Sequence, residues 1–361
     1  MKSLQRERYG GPEVLRVEDV EPQAPRRGEV RVAVEAVSLN LSDWEFLTGN
    51  PSYARVIGLR RPRIRSLGSD IAGIVQAIGP GVEAFEVGDA VYGDNLNALG
   101  GLAELVCLPA RVLRHKPDAL SFEHAACLPQ AGAIAMQGIV TRGKVVSGES
   151  VLINGAGGGS GAFAIQLAKA AGARVTAVDN TAKQAFMLEL GADEVIDYRA
   201  EDFAQRGARW DLILDLVATR SLSAIRRCLT DGGRYLAVGG HTNRILAAAT
   251  LGPLMSLGSR RSLGILGVQT MGGVEELAER VCAGDIRIHT HGRYALEDGA
   301  EALRALGAGE ALGKIVIEVG QSATQRPGVP VAPYSPAAPN PPSAPKRSSS
   351  PAGIERLATR S

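Results

Sequence analysis

The run Val151-Leu152-Ile153-Asn154 passes without a break into Gly155-Ala156-Gly157-Gly158-Gly159-Ser160-Gly161, and an apolar-periodic stretch follows. This order of strand, glycine-rich turn and helix constrains the fold more than any other feature of the chain. Backbone amides at a helix start bind phosphate only where the turn is tight and no side chain blocks the approach. Aligned on its last glycine, the loop reads Ala156-x-Gly158-x-x-Gly161, with alanine in the first place. Gly155 and Gly157 leave that register open by one residue. A glycine run alone also makes ordinary turns. Here Asp179 closes the next strand, near the spacing of about 20 residues at which a carboxylate meets the adenine-ribose hydroxyls. Ala156, Gly158, Gly159, Ser160, Gly161 and Asp179 are therefore the expected contacts of a nicotinamide dinucleotide.

From about residue 120 the texture is repeated strand and helix. Strands are expected at 151–154, 174–179, 194–198, 211–216, 234–239 and 263–268, with helices between several of them, one over 163–171 closed by Gly172. Most of these strands are short apolar runs without strict alternation, as strands covered on both faces are. Repeated units of this kind predict an α/β fold with a doubly wound parallel sheet. Upstream, 30–34 alternates, and 71–78, Gly79-Pro80-Gly81 and 87–91 read as strand, turn, strand, with Asp89 bonding turn amides. Residues 313–319 read as a strand returning to this region. The expected division is a β-rich domain over 1–122, completed by about 290–320, and a dinucleotide-binding domain over 123–289. A disordered Pro/Ser/Ala-rich tail is expected over 321–361.

A formal net charge of +2 on 361 residues gives no argument for nucleic acid or an anionic membrane as partner. The charged first residues lack the apolar core of a secretory signal, and the longest apolar run, broken by Gly252-Pro253, is too short to span a bilayer. Cys107, Cys127, Cys228 and Cys282 include no C-x-x-C pair, which argues against a zinc knuckle or a disulfide framework. A cytoplasmic location is expected.

Six further segments stand in order along the chain. They are Tyr9-Gly10-Gly11-Pro12-Glu13-Val14-Leu15, Asn40-Leu41-Ser42-Asp43-Trp44, Leu67-Gly68-Ser69-Asp70-Ile71-Ala72-Gly73, Val87-Gly88-Asp89-Ala90-Val91-Tyr92-Gly93, Leu190-Gly191-Ala192-Asp193-Glu194-Val195-Ile196-Asp197-Tyr198 and Gly313-Lys314-Ile315-Val316. With the glycine loop, they make the chain from about residue 1 to 319 resemble the medium-chain dehydrogenase/reductase superfamily, in its zinc-free quinone oxidoreductase-like branch. The resemblance implies a GroES-like β-rich catalytic domain beside a Rossmann domain, with NAD(P)H as cofactor. It implies a quinone, an α,β-unsaturated carbonyl or an enoyl compound as substrate, and adds Tyr198 and Lys314 as cofactor contacts.

Zinc-dependent members of that superfamily hold their metal with cysteine and histidine in these same segments. Here Asn40 takes the first ligand position, Ser69-Asp70 replaces a histidine–glutamate pair, and Pro129-Gln130-Ala131 offers no thiolate. No metal is expected, because zinc needs several thiolate or imidazole ligands converging on it. A conjugated acceptor suits such a site: it takes a hydride and leaves charge on a remote oxygen that hydrogen bonds can meet. Asn40 is the candidate for that bond and Tyr53 for the proton donor, with a turn asparagine and a surface tyrosine as the plain alternatives. Asp43 is read as ordering its loop, and Ile134 stands where the family usually has threonine near the nicotinamide. Asp179 favours NADH by repelling a 2′-phosphate, while Lys183, one helical turn on, keeps NADPH open. The rival readings are a metal-independent alcohol or carbonyl dehydrogenase and a non-catalytic cofactor-binding sensor or scaffold. A homodimer paired through the edge strand near 263–268 completes the expectation.

Overall fold

The computed structural model describes residues 1–320, so the expectation for 321–361 lies outside the described residues. At the amino terminus β1 (Lys2–Gln5) and β2 (Arg16–Asp19) pair antiparallel. Then come β3 (Glu29–Leu39), β4 (Asp70–Ile78), β5 (Ala90–Asp94), β6 (Leu105–Pro109) and β7 (Leu113–His115). The start of β3 alternates between half-buried and buried residues, as its sequence pattern demands. Burial of Val30, Val32, Val34, Ile71 and Val91 ties these strands into one core, each side chain contributing roughly 1.5–3 kcal/mol. Between β3 and β4 lies α1 (Leu41–Thr48), which ends on Gly49 in the left-handed conformation (φ 66°). Residues 87–89 lie outside β5. They belong to the turn before it, where Asp89 Oδ2 accepts from the Glu86 amide at 2.8 Å.

The apolar runs of the second half form a six-stranded parallel sheet: β8 (Ser150–Asn154), β9 (Arg174–Asp179), β10 (Glu194–Asp197), β11 (Trp210–Asp215), β12 (Leu229–Ala237) and β13 (Ser262–Ile265). Their order across the sheet is β10-β9-β8-β11-β12-β13. The chain winds outward from β8 to β10 and then restarts beside β8 with β11, so strand order reverses between β8 and β11. A crevice opens at such a reversal, outside the carboxyl ends of the strands. Around it lie α2 (Pro129–Met136), α3 (Gly159–Ala170) and α4 (Thr242–Ser256). Helix α3 starts before the expected Phe163, because the last glycines of the loop form its first turn; Gly172 (φ 81°) follows its end.

Two late strands return to the first sheet. β14 (Thr290–Ala295) pairs parallel with β15 (Lys314–Glu318), and β15 pairs antiparallel with β3, Ile315 opposite Leu39. This return has a consequence for the site. Gly313, just before β15, bridges to Gly158 of the glycine loop, and its amide donates to Gly157 O at 3.1 Å. Lys314 is thereby fixed between the loop and the start of α1.

Candidate active site

A cavity of about 1000 Å³ runs between the two sheets, from the glycine loop to the start of α1. Asn40, Tyr53, Gly158, Gly159, Ser160, Asp179, Lys183, Tyr198 and Lys314 all line it, so the structure gathers residues far apart in sequence. Of the expected contacts, only Ala156 and Gly161 are buried behind the wall.

The glycines divide by what a side chain would meet. A Cβ on Gly158 would meet only Gly155 O, at 3.7 Å, so the backbone here faces open space. On Gly161 it would lie 2.5 Å from Ala156 Cα and O and from Gly155 O. One glycine leaves room for a ligand; the other lets helix and loop touch. That split matches the second and third glycines of a dinucleotide loop and supports the 156/158/161 register. Among the described residues no side chain caps α3, so its first amides, which have no intrahelical acceptors, are available to an anion.

Asp179 is built into this loop. Its Oδ2 accepts from the Gly157 amide at 3.0 Å, and its Oδ1 accepts from the Asn180 amide at 2.8 Å. Lys183 Nζ stands 3.6 Å from the same carboxylate, with both side chains almost fully buried. Burial pulls the Lys183 ammonium below its ordinary value while Asp179 raises it. The sequence sets these two residues against each other as alternative cofactor signals; the fold pairs them. Tyr198, 48% exposed, lines the same end of the cavity, with the Arg199 guanidinium over its ring.

The opposite end has a polar floor. Lys314, only 2% exposed, donates from Nζ to Asn40 Oδ1 at 2.6 Å and lies 3.8 Å from Asp70 Oδ2. An ammonium has only donors, so it fixes which way the Asn40 amide points: carbonyl to Lys314, NH2 away. That NH2 lies a long 3.4 Å from Ser69 Oγ, and Asn40 also hydrogen-bonds the Asp70 carboxyl. Beside Asn40, Gln130 takes the Ser42 hydroxyl on Oε1 at 2.9 Å, and its buried Nε2 has no hydrogen-bond partner among the described residues. Asp43, as expected, orders the loop, its carboxylate accepting from the amides of Asn40 and Gly68, both at 2.9 Å. Burial pushes the Asp70 carboxyl well up, with Asp94 adding repulsion and Lys314 opposing, and burial raises Asp94 to about 6.

Tyr53 lines the cavity wall, but its Oη donates to Glu45 Oε1 at 2.8 Å. Glu45 is a residue that sequence reasoning missed as a site group, since it stands in no motif; Gln130 stands in the segment where zinc-dependent relatives place a ligand, and the fold brings both to this cavity. Ile134 faces the cavity, adding an apolar side chain beside the loop.

The family model described as alcohol dehydrogenase GroES-like domain matches residues 26–118, and one described as zinc-binding dehydrogenase matches 190–317. A quinone oxidoreductase of Pseudomonas aeruginosa is 33% identical over 334 residues, covering 88% of this chain and 99% of that one. A mycocerosic acid synthase-like polyketide synthase of Mycobacterium tuberculosis is 33% identical over 313 residues, covering 82% of this chain. The chain spans only 14% of that synthase's length. Among solved structures, Escherichia coli quinone oxidoreductase complexed with NADPH aligns at TM-score 0.75 and 26% identity, covering 88% of this chain and 100% of that one. CurK enoyl reductase aligns at TM-score 0.74 and 26% identity, covering 88% and 99%. One description names zinc, and the floor residues do not fit that ion. An amide, a hydroxyl and an ammonium are not zinc ligands, and among the described residues no three His, Cys, Asp or Glu side chains converge on one point.

Proposed function

The chain belongs to the medium-chain dehydrogenase/reductase superfamily, in its quinone oxidoreductase-like branch, and from that premise we propose a reductase of quinones or α,β-unsaturated carbonyl and enoyl compounds. Members of this branch are NAD(P)H-dependent oxidoreductases, and so is this chain; the proposal concerns the acceptor, the residues and the choice of cofactor. The observation that carries it is the Lys314-held amide of Asn40, facing a cavity shared with the glycine loop. Reduced nicotinamide, when bound, supplies a hydride. The chain's part is to seat the pyrophosphate on the loop and the first turn of α3, and to exclude water with Ile134, Leu216, Val238 and Ile245. Asn40 Nδ2 then meets the oxygen on which charge develops, and Tyr53 supplies the proton.

The test is consumption of NADH and NADPH against quinones, enones, enoyl thioesters and simple aldehydes, with and without a chelator. Turnover of conjugated acceptors, indifferent to chelation, is the expected result. Turnover of aldehydes or alcohols alone, or its loss on chelation, would overturn the reading. Homodimer formation is part of the proposal: β13 is the edge of its sheet, and Leu246, Leu251 and Leu254 lie exposed on neighbouring α4.

For the cofactor, NADH is proposed. Asp179 beside a 2′-phosphate costs about 1–3 kcal/mol, or about 5- to 150-fold, and the Lys183 ammonium offsets part of it, so the low end of that range is expected. Asp179→Ser should remove the repulsion and leave a buried ammonium without its anion. The ratio of the two dissociation constants should then shift toward NADPH by about 10- to 100-fold, and Lys183→Ala in that background should take part of the gain back. The ratio is the correct measure because Asp179 also holds the Gly157 amide, so a loosened loop weakens both cofactors alike. A tenfold preference of the unaltered protein for NADPH would rule the assignment out.

A further inference from the structure

Glu45 sits on α1 and Tyr53 on the short helical turn Ser52–Ile57, and both side chains reach the wall of the same cavity. Among the described residues Glu45 makes no ion pair, and its carboxylate has one hydrogen-bond partner, the Tyr53 hydroxyl at 2.8 Å. A half-buried carboxylate with no cation beside it among the described residues is costlier to charge than one in open water, so a proton on the pair is more readily retained. The hydroxyl has a single hydrogen, and that hydrogen cannot serve Glu45 and a substrate together.

We propose that Glu45 is a positioning residue that decides whether Tyr53 can act as the proton donor. With Glu45 protonated, its O–H donates to Tyr53 Oη and the phenol hydrogen is free to point at the substrate. With Glu45 ionised, the carboxylate takes the phenol hydrogen and the donor is locked. The inference rests on the reductase reading and deepens it.

The balance is simple for an enone. The substrate takes a hydride at its β-carbon from the reduced nicotinamide, and the alkene π pair moves onto the carbonyl as an enolate. The Tyr53 O–H bond breaks as its proton forms the new bond at the α-carbon. The Glu45 proton passes to Oη and restores the phenol, and water reloads the carboxylate. One hydride and one proton are added, and the nicotinamide is oxidised.

The electrostatics agree with this geometry. Burial pushes the Glu45 carboxyl up to about 7, with the bond from Tyr53 opposing the rise. Burial and the neighbouring carboxylate raise the Tyr53 phenol above its ordinary value, so it stays protonated. The other ionisable groups on the cavity wall are Asp94 and Lys314 at the floor, Arg220, and Asp179, Lys183 and Tyr198 at the loop end. None forms an ion pair with Glu45 among the described residues. Asp94, raised to about 6, is a separate titration that a change at Glu45 leaves in place.

The experiment is single-turnover reduction of an enone at saturating reduced dinucleotide, from about pH 5 to about pH 9. The rate of the unaltered protein should fall as pH rises through about 7, the direction set by a required proton on Glu45. In Glu45→Gln that limb should vanish, because the amide N–H donates to Tyr53 at every pH. Tyr53→Phe should be slower by about 10²-fold or more across the range, without the limb. Dinucleotide affinity within about threefold of the unaltered protein shows that each variant is folded. Infrared spectra of the unaltered protein should lose one protonated-carboxyl band near that pH, and Glu45→Gln should lack it. A limb that persists in Glu45→Gln, or a Tyr53→Phe variant as fast as the unaltered protein, overturns the inference. Failure of the unaltered protein to reduce any acceptor overturns the reductase reading beneath it.

Discussion

Asn40→Ala should slow acceptor reduction by about 10²- to 10³-fold, the loss that follows removal of one donor to a developing oxyanion in a water-poor site. The argument starts from Lys314. Its ammonium is buried and cannot accept, so it holds Asn40 Oδ1 and leaves the NH2 as the donor of an amide that lines the cavity. The contact of that NH2 to Ser69 Oγ, at 3.4 Å, is weak, so one of its two hydrogens can pass to a better acceptor while the other keeps its bond to the Asp70 carboxyl. A charge that grows on the substrate oxygen strengthens the new bond, so the effect should appear in the rate and little in binding. Alanine also strips Lys314 of an acceptor, which costs roughly 1–3 kcal/mol of stability and complicates a single variant. Asn40→Asp separates the two roles, since a carboxylate still receives the ammonium but has no N–H to give. Single-turnover rates with an enone should therefore be as low in Asn40→Asp as in Asn40→Ala, with dinucleotide affinity within about threefold of the unaltered protein. If Asn40→Asp keeps the full rate, the oxyanion is met elsewhere, and Gln130, whose buried Nε2 has no partner among the described residues, is the next residue to change.

Much of this fold could be read from the chain because its signals are local. Strand, glycine turn and helix are contiguous from Ser150 to Ala170, and the parallel strands show as apolar runs at regular intervals. Displaced boundaries have local causes too: the loop glycines wind into α3, and β12 starts early at Leu229, through Gly232-Gly233, which have no strand preference. The site was legible only where a motif marked it. Asn40 and Lys314 each stand in a recognisable segment, but their bond depends on β15 returning beside β3, and nothing in the sequence gives its direction. The spacing of Asp179 points to a ribose but says nothing of its neighbours in the fold, where its oxygens serve the Gly157 and Asn180 amides and the Lys183 ammonium. Glu45 carries no signal at all. Its importance comes from sharing a wall with Tyr53 and from having no cation beside it among the described residues, and both are properties of the folded cavity.

From sequence Gly158 and Gly161 read alike, and the structure predicts that they fail in different ways. At Gly158 the backbone is extended (φ −87°, ψ −176°), a conformation valine adopts readily, and a Cβ meets only Gly155 O at 3.7 Å. Gly158→Val should therefore melt close to the unaltered protein. Its two methyl groups, however, project into the space a pyrophosphate must enter, and a phosphate held away from the amides of α3 loses their charge-assisted bonds. A loss of at least about 100-fold in dinucleotide affinity is expected, near 2.7 kcal/mol. At Gly161 the added carbon lies 2.5 Å from Ala156 Cα and O and Gly155 O, all backbone, so no side chain can move aside. Helix and loop would have to part, at a cost of roughly 1–3 kcal/mol or more. Gly161→Val should thus lose thermal stability and dinucleotide binding together. Melting curves and dinucleotide titrations of the two variants decide the matter. A Gly158→Val protein that binds as tightly as the unaltered one would mean that the phosphates sit elsewhere. A Gly161→Val protein of undiminished stability would mean that helix and loop do not need their close contact at that residue.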